Sequence, residues 1–399
     1  MNTLARDYVL LAFAIDRHIP GYIDAYFGPP EVKAEADAGP LLPLRTLAIE
    51  AQQLAQAVPQ AGLVNQRADF FTAQLAAMSA TISILQGERL PLAQEVEALY
   101  GLEPAWVDES VFTEAHRQLA DLLPPGEDLV SRVSAYKKSA EVDRKAAASL
   151  LTMLRDRMQT ITRRRFSLPA EENFEIKMVT GQPWGAYNWY LGSAHSRVEI
   201  NTDLPLRATS FLGLLAHEGY PGHHTELTSK EYRLLQEHGW QEHGIALINA
   251  PSCAISEGIA NCALDTLLSA EEQAEWESEL FAQAGLNLDP QRVAQIRRAQ
   301  RPLGRVSGNA AFMLHEQGAS KEDTAAYIQR WALSNPEEAR KSVEFVSHPL
   351  YRSYTFNYTL GMDLLEELFA AKGNRQVWFT RLLGEPVTPK LVRRWIDRL

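Results

Sequence analysis

Three of the ten histidines in this 399-residue chain fall within His217-Glu218-Gly219-Tyr220-Pro221-Gly222-His223-His224-Thr225-Glu226, together with two glutamates. A zinc peptidase helix sets two His four residues apart on one face with a Glu beside the first. Both rings then reach one metal, and the Glu can deprotonate its water. His217-Glu218 fits the start of that scheme, but proline stands at position 221, where the second His would be. On an unbroken helix His224 would share a face with His217 about two turns and 10 Å further on, beyond the reach of one ion with Zn–N of about 2.0–2.1 Å. His223 would point to a different face. Pro221 excludes the unbroken helix, because its ring clashes with the carbonyl four residues back, that of His217 itself. Gly222 then supplies a permissive hinge. The expected result is a kink or bulge that takes up the two extra residues and brings His223 to the second ligand position, with His224 hydrogen-bonded to a neighbour. The kink favours His223; sequence alone does not decide between the two histidines.

A hydrolytic zinc site also needs a third protein ligand and an open position for water. Glu257 is the candidate. In the segment 254–267, Ile255, Ile259, Cys262 and Leu267 form one apolar stripe, while Glu257, Asn261 and Asp265 repeat every four residues on another face. A carboxylate there can ligate a metal and be held by polar groups one and two turns on. Taken alone, the same three residues read as a solvent-facing surface; beside the His cluster they read as a ligand face.

His-Glu-Gly-Tyr-Pro-Gly-His-His at 217–224 resembles the HExxPGHH signature of the domain-of-unknown-function 885 family, bacterial proteins that themselves resemble the gluzincin metallopeptidases. The likeness extends in order along most of the chain. Residues 17–29, Arg-His-Ile-Pro-Gly-Tyr-Ile-Asp-Ala-Tyr-Phe-Gly-Pro, are similar to the N-terminal part of one branch, and Glu199-Ile200-Asn201-Thr202 sits where a substrate-lining strand would. Ser256-Glu257-Gly258 is similar to the family's Glu-Gly segment, and Tyr358-Thr359-Leu360-Gly361 to its C-terminal Tyr-x-x-Gly. Two departures stand out: this chain is shorter than is usual for the family, and Tyr354 occupies a place where glutamine is expected.

The resemblance implies one Zn2+ held by His217, His223 and Glu257, which lowers the pKa of a bound water towards about 7. Glu218 is the implied general base, passing the proton on to the leaving amine. Tyr358 is the implied hydroxyl donor to the oxyanion, with Tyr354 and His315 as further candidates. Arg197 and Asn201 bound a strand that would hold an extended peptide by main-chain pairing. The expected activity is a zinc metallopeptidase acting on short peptides. Two other readings share these residues: a metal-dependent hydrolase of an amide or ester of a small metabolite, and a non-catalytic helical binding protein that retains the fold.

The elements that must position these residues are mostly helical. Pro43 to Ala57, Asn65 to Gln86, Ser110 to Leu123 and Ser139 to Arg165 are rich in Ala, Leu, Glu, Gln and Arg, with apolar residues three or four apart. Arg163-Arg164-Arg165 suits the negative end of a helix dipole. Between Glu172 and Pro205 the period changes to two in 174–179 and 196–201, around an aromatic run from Trp184 to Gly192, which predicts a small sheet of about three strands. The fold class expected is mainly α, a large helical metallopeptidase-like fold with one small β-sheet preceding the His-Glu helix. Residues 1–170 read as an N-terminal helical part and 171–399 as the part carrying the metal site, in one continuous unit. His18, His116, His238 and His243 have no partner pattern and read as surface or packed residues; His348, before Pro349, reads first as a loop-entry residue, and His195, close to the expected edge strand, reads first as a residue outside the site. Trp184, Tyr187, Trp189 and Tyr190 read as packing.

Composition excludes several classes. Lys plus Arg total 39 against 50 Asp plus Glu, a formal net charge of −11, which argues against nucleic acid or an anionic membrane as partner. Two cysteines, Cys253 and Cys262, are too few for a disulfide framework and point to a reducing compartment. The apolar run Tyr8 to Ile15 is flanked by charges without a small-residue cleavage site, so it reads as a buried first helix. A soluble cytoplasmic protein is expected.

Overall fold

Helical periods become helices wherever local signals agree with them. The computed structural model, which describes residues 3–182 and 184–398, is mainly α-helical. Helix α1, Thr3–Asp16, buries Tyr8, Val9, Leu11, Ala12 and Ile15. A short strand β1, Ile23–Tyr26, follows. Helix α2, Asn65–Leu85, is long and apolar enough by composition to cross a membrane. Here it places Phe71, Leu75, Met78 and Ile82 in one core cluster with α1. Its Arg67 makes a buried two-bond pair with Glu242 at 2.6 and 2.9 Å.

The helix expected from Ser139 begins instead at Arg144. Val142 N donates to the Leu206 carbonyl at 2.9 Å, and Asp143 then caps α3, Arg144–Arg165, by accepting from Ala146 N at 2.8 Å. The buried face of α3, Ala147, Leu150, Leu151, Leu154 and Met158, follows the helical period. Among the closing arginines, Arg163 does more than face the helix dipole: its Nε reaches the buried carboxylate of Glu172 at 2.5 Å.

The sheet segment folds as β2, Asn173–Val179, β3, Ala186–Gly192, and β4, His195–Asn201. Their order is β2-β4-β3, with β4 parallel to β2 and antiparallel to β3. This corrects the expectation that residues 197–201 offer a free edge: β4 is the central strand and both its edges are paired. The edge strand nearest the histidines is β3. A second sheet, absent from the sequence reading, pairs β1 antiparallel with β5, Ile245–Leu247. Strands of four and three residues are too short to display an alternating period.

Helices α4, Ala208–Glu218, α5, His223–Lys230, and α6, Pro251–Leu267, surround the site, with the turn Asn357–Gly361 and α7, Met362–Lys372, behind them. Two buried clusters meet there. One joins Leu150, Leu154, Val198, Leu215, Ile255 and Ile259; the other joins α1 and α2 to Ile245, Leu247, Ala250 and Tyr354. Helix α6 leaves the second cluster at its start and runs into the first, so its early residues lie at the seam.

Candidate metal centre

The helix carrying His217 ends at Glu218, as Pro221 requires. The chain passes through Gly219, a cis Tyr220–Pro221 bond and Gly222 before α5 restarts at His223. Gly222 is laid directly over the end of α4: its N donates to the Ala216 carbonyl at 2.8 Å. A Cβ at this position would stand 1.9 Å from the His217 carbonyl oxygen. The doubled-back turn absorbs the two extra residues, and the His217 and His223 rings end with centroids 4.8 Å apart and planes at 89°.

Glu257 arrives from α6. His217 Nε2 lies 3.7 Å from its Oε2 and His223 Nε2 3.7 Å from its Oε1. Ligand atoms of the three residues all lie within 4.8 Å of one another. Helix α6 approaches the turn Asn357–Gly361 glycine to glycine: a Cβ on Gly258 would meet the Gly361 oxygen at 2.7 Å, and one on Gly361 the Ala254 oxygen at 2.4 Å. That close crossing brings Tyr354 and Tyr358 up to Glu257. Tyr354 donates its hydroxyl to Glu257 Oε1 at 2.5 Å, and Oε2 is buried without a hydrogen-bond partner among the described residues.

Hydrogen bonds behind the histidines set their tautomers. Ser256 Oγ gives its one proton to Glu226 Oε2 at 2.5 Å, so at 3.1 Å it accepts from His223 Nδ1–H, leaving the Nε2 lone pair free towards Glu257. The other Glu226 oxygen takes the Lys230 ammonium. Asn261 donates to the Glu257 carbonyl at 2.9 Å and to that of Tyr358 at 3.2 Å. His224 is fully buried and turned away: Ser196 Oγ lies 2.8 Å from its Nδ1 and Glu172 Oε2 2.9 Å from its Nε2.

The electrostatics of the cluster favour a cation. Burial, then the neighbouring His223, pushes His217 down to about 3. Burial, then Lys230, takes His223 down to about 4, so both rings are neutral, the form that binds metals. Burial, then Glu257, then Asp24, pushes Glu218 up to about 8. Glu257 is likewise pushed up to about 8, chiefly by burial, against the bond from Tyr354. Two carboxyl groups short of positive charge beside two neutral imidazoles form a donor set that suits a divalent ion.

A cleft of about 140 Å³ opens onto these groups, lined also by Asp24, Tyr187, Asn188, Glu226, His243 and Tyr358. Tyr358 is 39% exposed, yet desolvation of its phenol, then the charges of Glu257 and Glu218, raises its pKa well above the usual value, so it remains a donor. His315 lies elsewhere, with Nε2 2.7 Å from the Val346 carbonyl. Arg197 pairs with Glu199 at 3.0 Å, Asn201 Nδ2 donates to the carbonyls of Gln182 and Trp184 at 2.9 and 3.1 Å, and Asp265 accepts from Gln273; none of them lines the cleft. His195 and His348 are likewise absent from its lining. Sequence reasoning missed Asp24, Asn188, Ser256, Glu226, Lys230 and the cleft-lining roles of His243, read as surface or packed, and Tyr187, read as packing. Only Glu226 and Lys230 carried a local signal, sitting three and seven residues after His223 on one helical face.

No known protein-family profile matches this sequence, and no curated protein sequence matches it. The chain is similar in structure to a protein described as a putative lipoprotein from Colwellia psychrerythraea, with a TM-score of 0.52 at 14% identity over 89% of this chain and 69% of that one. It also matches a putative lipoprotein of unknown function from Shewanella oneidensis, with a TM-score of 0.48 at 13% identity over 88% of this chain and 72% of the other. The first likeness is one of fold.

Proposed function

We propose that this chain is a zinc-dependent hydrolase, a metallopeptidase of short peptides related to the domain-of-unknown-function 885 proteins that its 217–224 segment resembles. The observation that carries the reading is the convergence of His217, His223 and Glu257 within 4.8 Å, with one Glu257 oxygen buried and unpartnered. Two neutral imidazole nitrogens and a carboxylate on the wall of an open cleft fit zinc in a hydrolytic role. Bound there, the ion supplies Lewis acidity and lowers the pKa of a water molecule towards about 7. Glu218 takes the proton from the attacking water and returns it to the leaving amine. Tyr358 donates to the oxyanion developing on the substrate carbonyl, and Tyr354 holds Glu257 in orientation. Because β4 is paired on both sides, the strand available to a substrate main chain is β3, whose Ala186, Tyr187 and Asn188 line the cleft.

Metal analysis of the purified protein, with peptide turnover before and after chelation, tests the reading. Glu218→Gln is expected to keep the metal and lose turnover by about 10²-fold or more. A protein that takes up no zinc, or a Glu218→Gln variant that turns over normally with metal bound, overturns it. The small cleft also favours a second reading, hydrolysis of an amide or ester of a small metabolite; a panel of peptides, amides and esters separates the two.

A further inference from the structure

Among the described residues, four carboxyl groups line the cleft, those of Asp24, Glu218, Glu226 and Glu257, against one lysine ammonium, Lys230. Lys230 is already paired with Glu226. A divalent ion at His217, His223 and Glu257 compensates Glu257 and its neighbour Glu218. Asp24 is left over. Its side-chain contact is the neutral hydroxyl of Tyr187, and burial, with Glu226 adding to it against the Tyr187 bond, raises its pKa above the usual carboxylate value.

A second, independent observation points to what is missing. Asn188, on the edge strand β3, is 9% exposed and lines the same cleft. Its Nδ2 donates to the Glu218 carbonyl at 2.6 Å, while its Oδ1 is buried without a hydrogen-bond partner among the described residues. An uncompensated carboxylate and an unpartnered carbonyl oxygen together call for a cationic group with several N–H donors, since a buried acceptor left unpaired is costly. The cleft, about 140 Å³, is smaller than the roughly 300–1,000 Å³ of drug-sized pockets. Phe27, Phe70 and Ile245 supply apolar wall, so the space suits one residue.

We propose that Asp24 and Asn188 Oδ1 bind a primary ammonium of the substrate, its free amino terminus, and that the protein removes N-terminal residues. This rests on the hydrolase reading above. Water adds its oxygen to the first acyl carbon, the first peptide C–N bond breaks, and the water proton passes through Glu218 to the nitrogen of the shortened peptide.

The test is a calorimetric titration of the full-length, zinc-loaded Glu218→Gln protein with leucinamide, N-acetyl-leucinamide and Nα-acetyl-lysinamide. Leucinamide is expected to bind about 10- to 150-fold tighter than its acetylated form. Adding Asp24→Asn is expected to shrink the difference to about threefold or less, with zinc still at one per chain. Equal binding of the free and acetylated amides overturns the proposal, and this comparison needs no change at Asp24. A second zinc equivalent that disappears in Asp24→Asn also overturns it, since Asp24 would then be a metal ligand. Tightest binding of Nα-acetyl-lysinamide keeps the ammonium site but assigns it to a side chain. Turnover of free and N-acetylated peptides by the unmodified protein separates the two layers. Selective amide binding without cleavage of any peptide removes the hydrolase reading and leaves the ammonium site, whereas cleavage indifferent to acetylation does the reverse.

Discussion

Replacing Glu172 by glutamine asks how firmly the turn that presents His223, a proposed zinc ligand, is braced from behind. The Glu172 side chain is fully buried and accepts from Arg163 Nε at 2.5 Å, Tyr220 Oη at 2.6 Å, His224 Nε2 at 2.9 Å and Gln159 Nε2 at 3.2 Å. Burial alone would raise its pKa, but the bonds from His224, Tyr220 and Arg163 outweigh it and hold the carboxyl below the usual glutamate value. Glutamine keeps the shape, removes the charge and turns an NH2 towards one of the donors. A hydrogen bond to a charged group contributes about 1.5–3 kcal/mol. The Arg163 pair adds less than about 1 kcal/mol, because that side chain is 41% exposed and screened. The expected loss is about 2–3 kcal/mol of stability. Tyr220 and His224 flank the turn that presents His223, so zinc affinity should fall about 10- to 100-fold. The assays are urea unfolding followed by circular dichroism and competition for zinc against a chromophoric chelator. The pH dependence gives a further sign. A folded-state pKa held below the unfolded value contributes stability that is complete above the unfolded pKa of about 4.3 and is lost as pH falls through the folded one. Glu172→Gln should therefore narrow the stability gap to the unmodified protein as the solution is acidified. Unchanged unfolding midpoint and zinc affinity at neutral pH would refute the bracing argument.

Three further outcomes are expected. Tyr354→Phe removes the 2.5 Å donor to Glu257 and should weaken zinc binding about 10-fold or more, read by the same chelator competition; unchanged affinity would mean that the hydroxyl does not hold the carboxylate. Tyr358→Phe should lower kcat by about 10²–10³-fold with zinc content unchanged, whereas an effect confined to KM would assign the tyrosine to binding alone. Gly361→Ala drives a Cβ to 2.4 Å from the Ala254 oxygen, a backbone atom that cannot step aside, and should cost about 1–3 kcal/mol, seen as a lower unfolding temperature.

Much of the fold was legible because its signals are local. The two-residue period at 174–179 and 196–201 became β2 and β4, and the helical period at 43–57 and 65–86 became helices within a residue or two of the expected ends. Where an element departs from its local signal, a distant partner intervenes. The 139–165 helix starts late because Val142 pairs with Leu206, and the β1–β5 sheet joins strands more than two hundred residues apart. Strand order was equally out of reach, since alternation marks a strand without saying which neighbours it takes.

By itself the sequence determined that the helix must break after His217. That follows from the proline ring and the carbonyl four residues before it, which are covalent facts of the chain. It likewise determined that Glu257 lies on a polar stripe of an otherwise apolar helix. Only the tertiary structure decided that His223 faces Glu257 and His224 faces Glu172. That choice depends on Ser256, Glu226 and Lys230 behind the one ring and Ser196 and Glu172 behind the other. The tertiary structure also decided that Asp24 and Asn188 share the cleft. They come from different sheets that meet only once the cores have packed, and no local period connects residues so far apart in the chain.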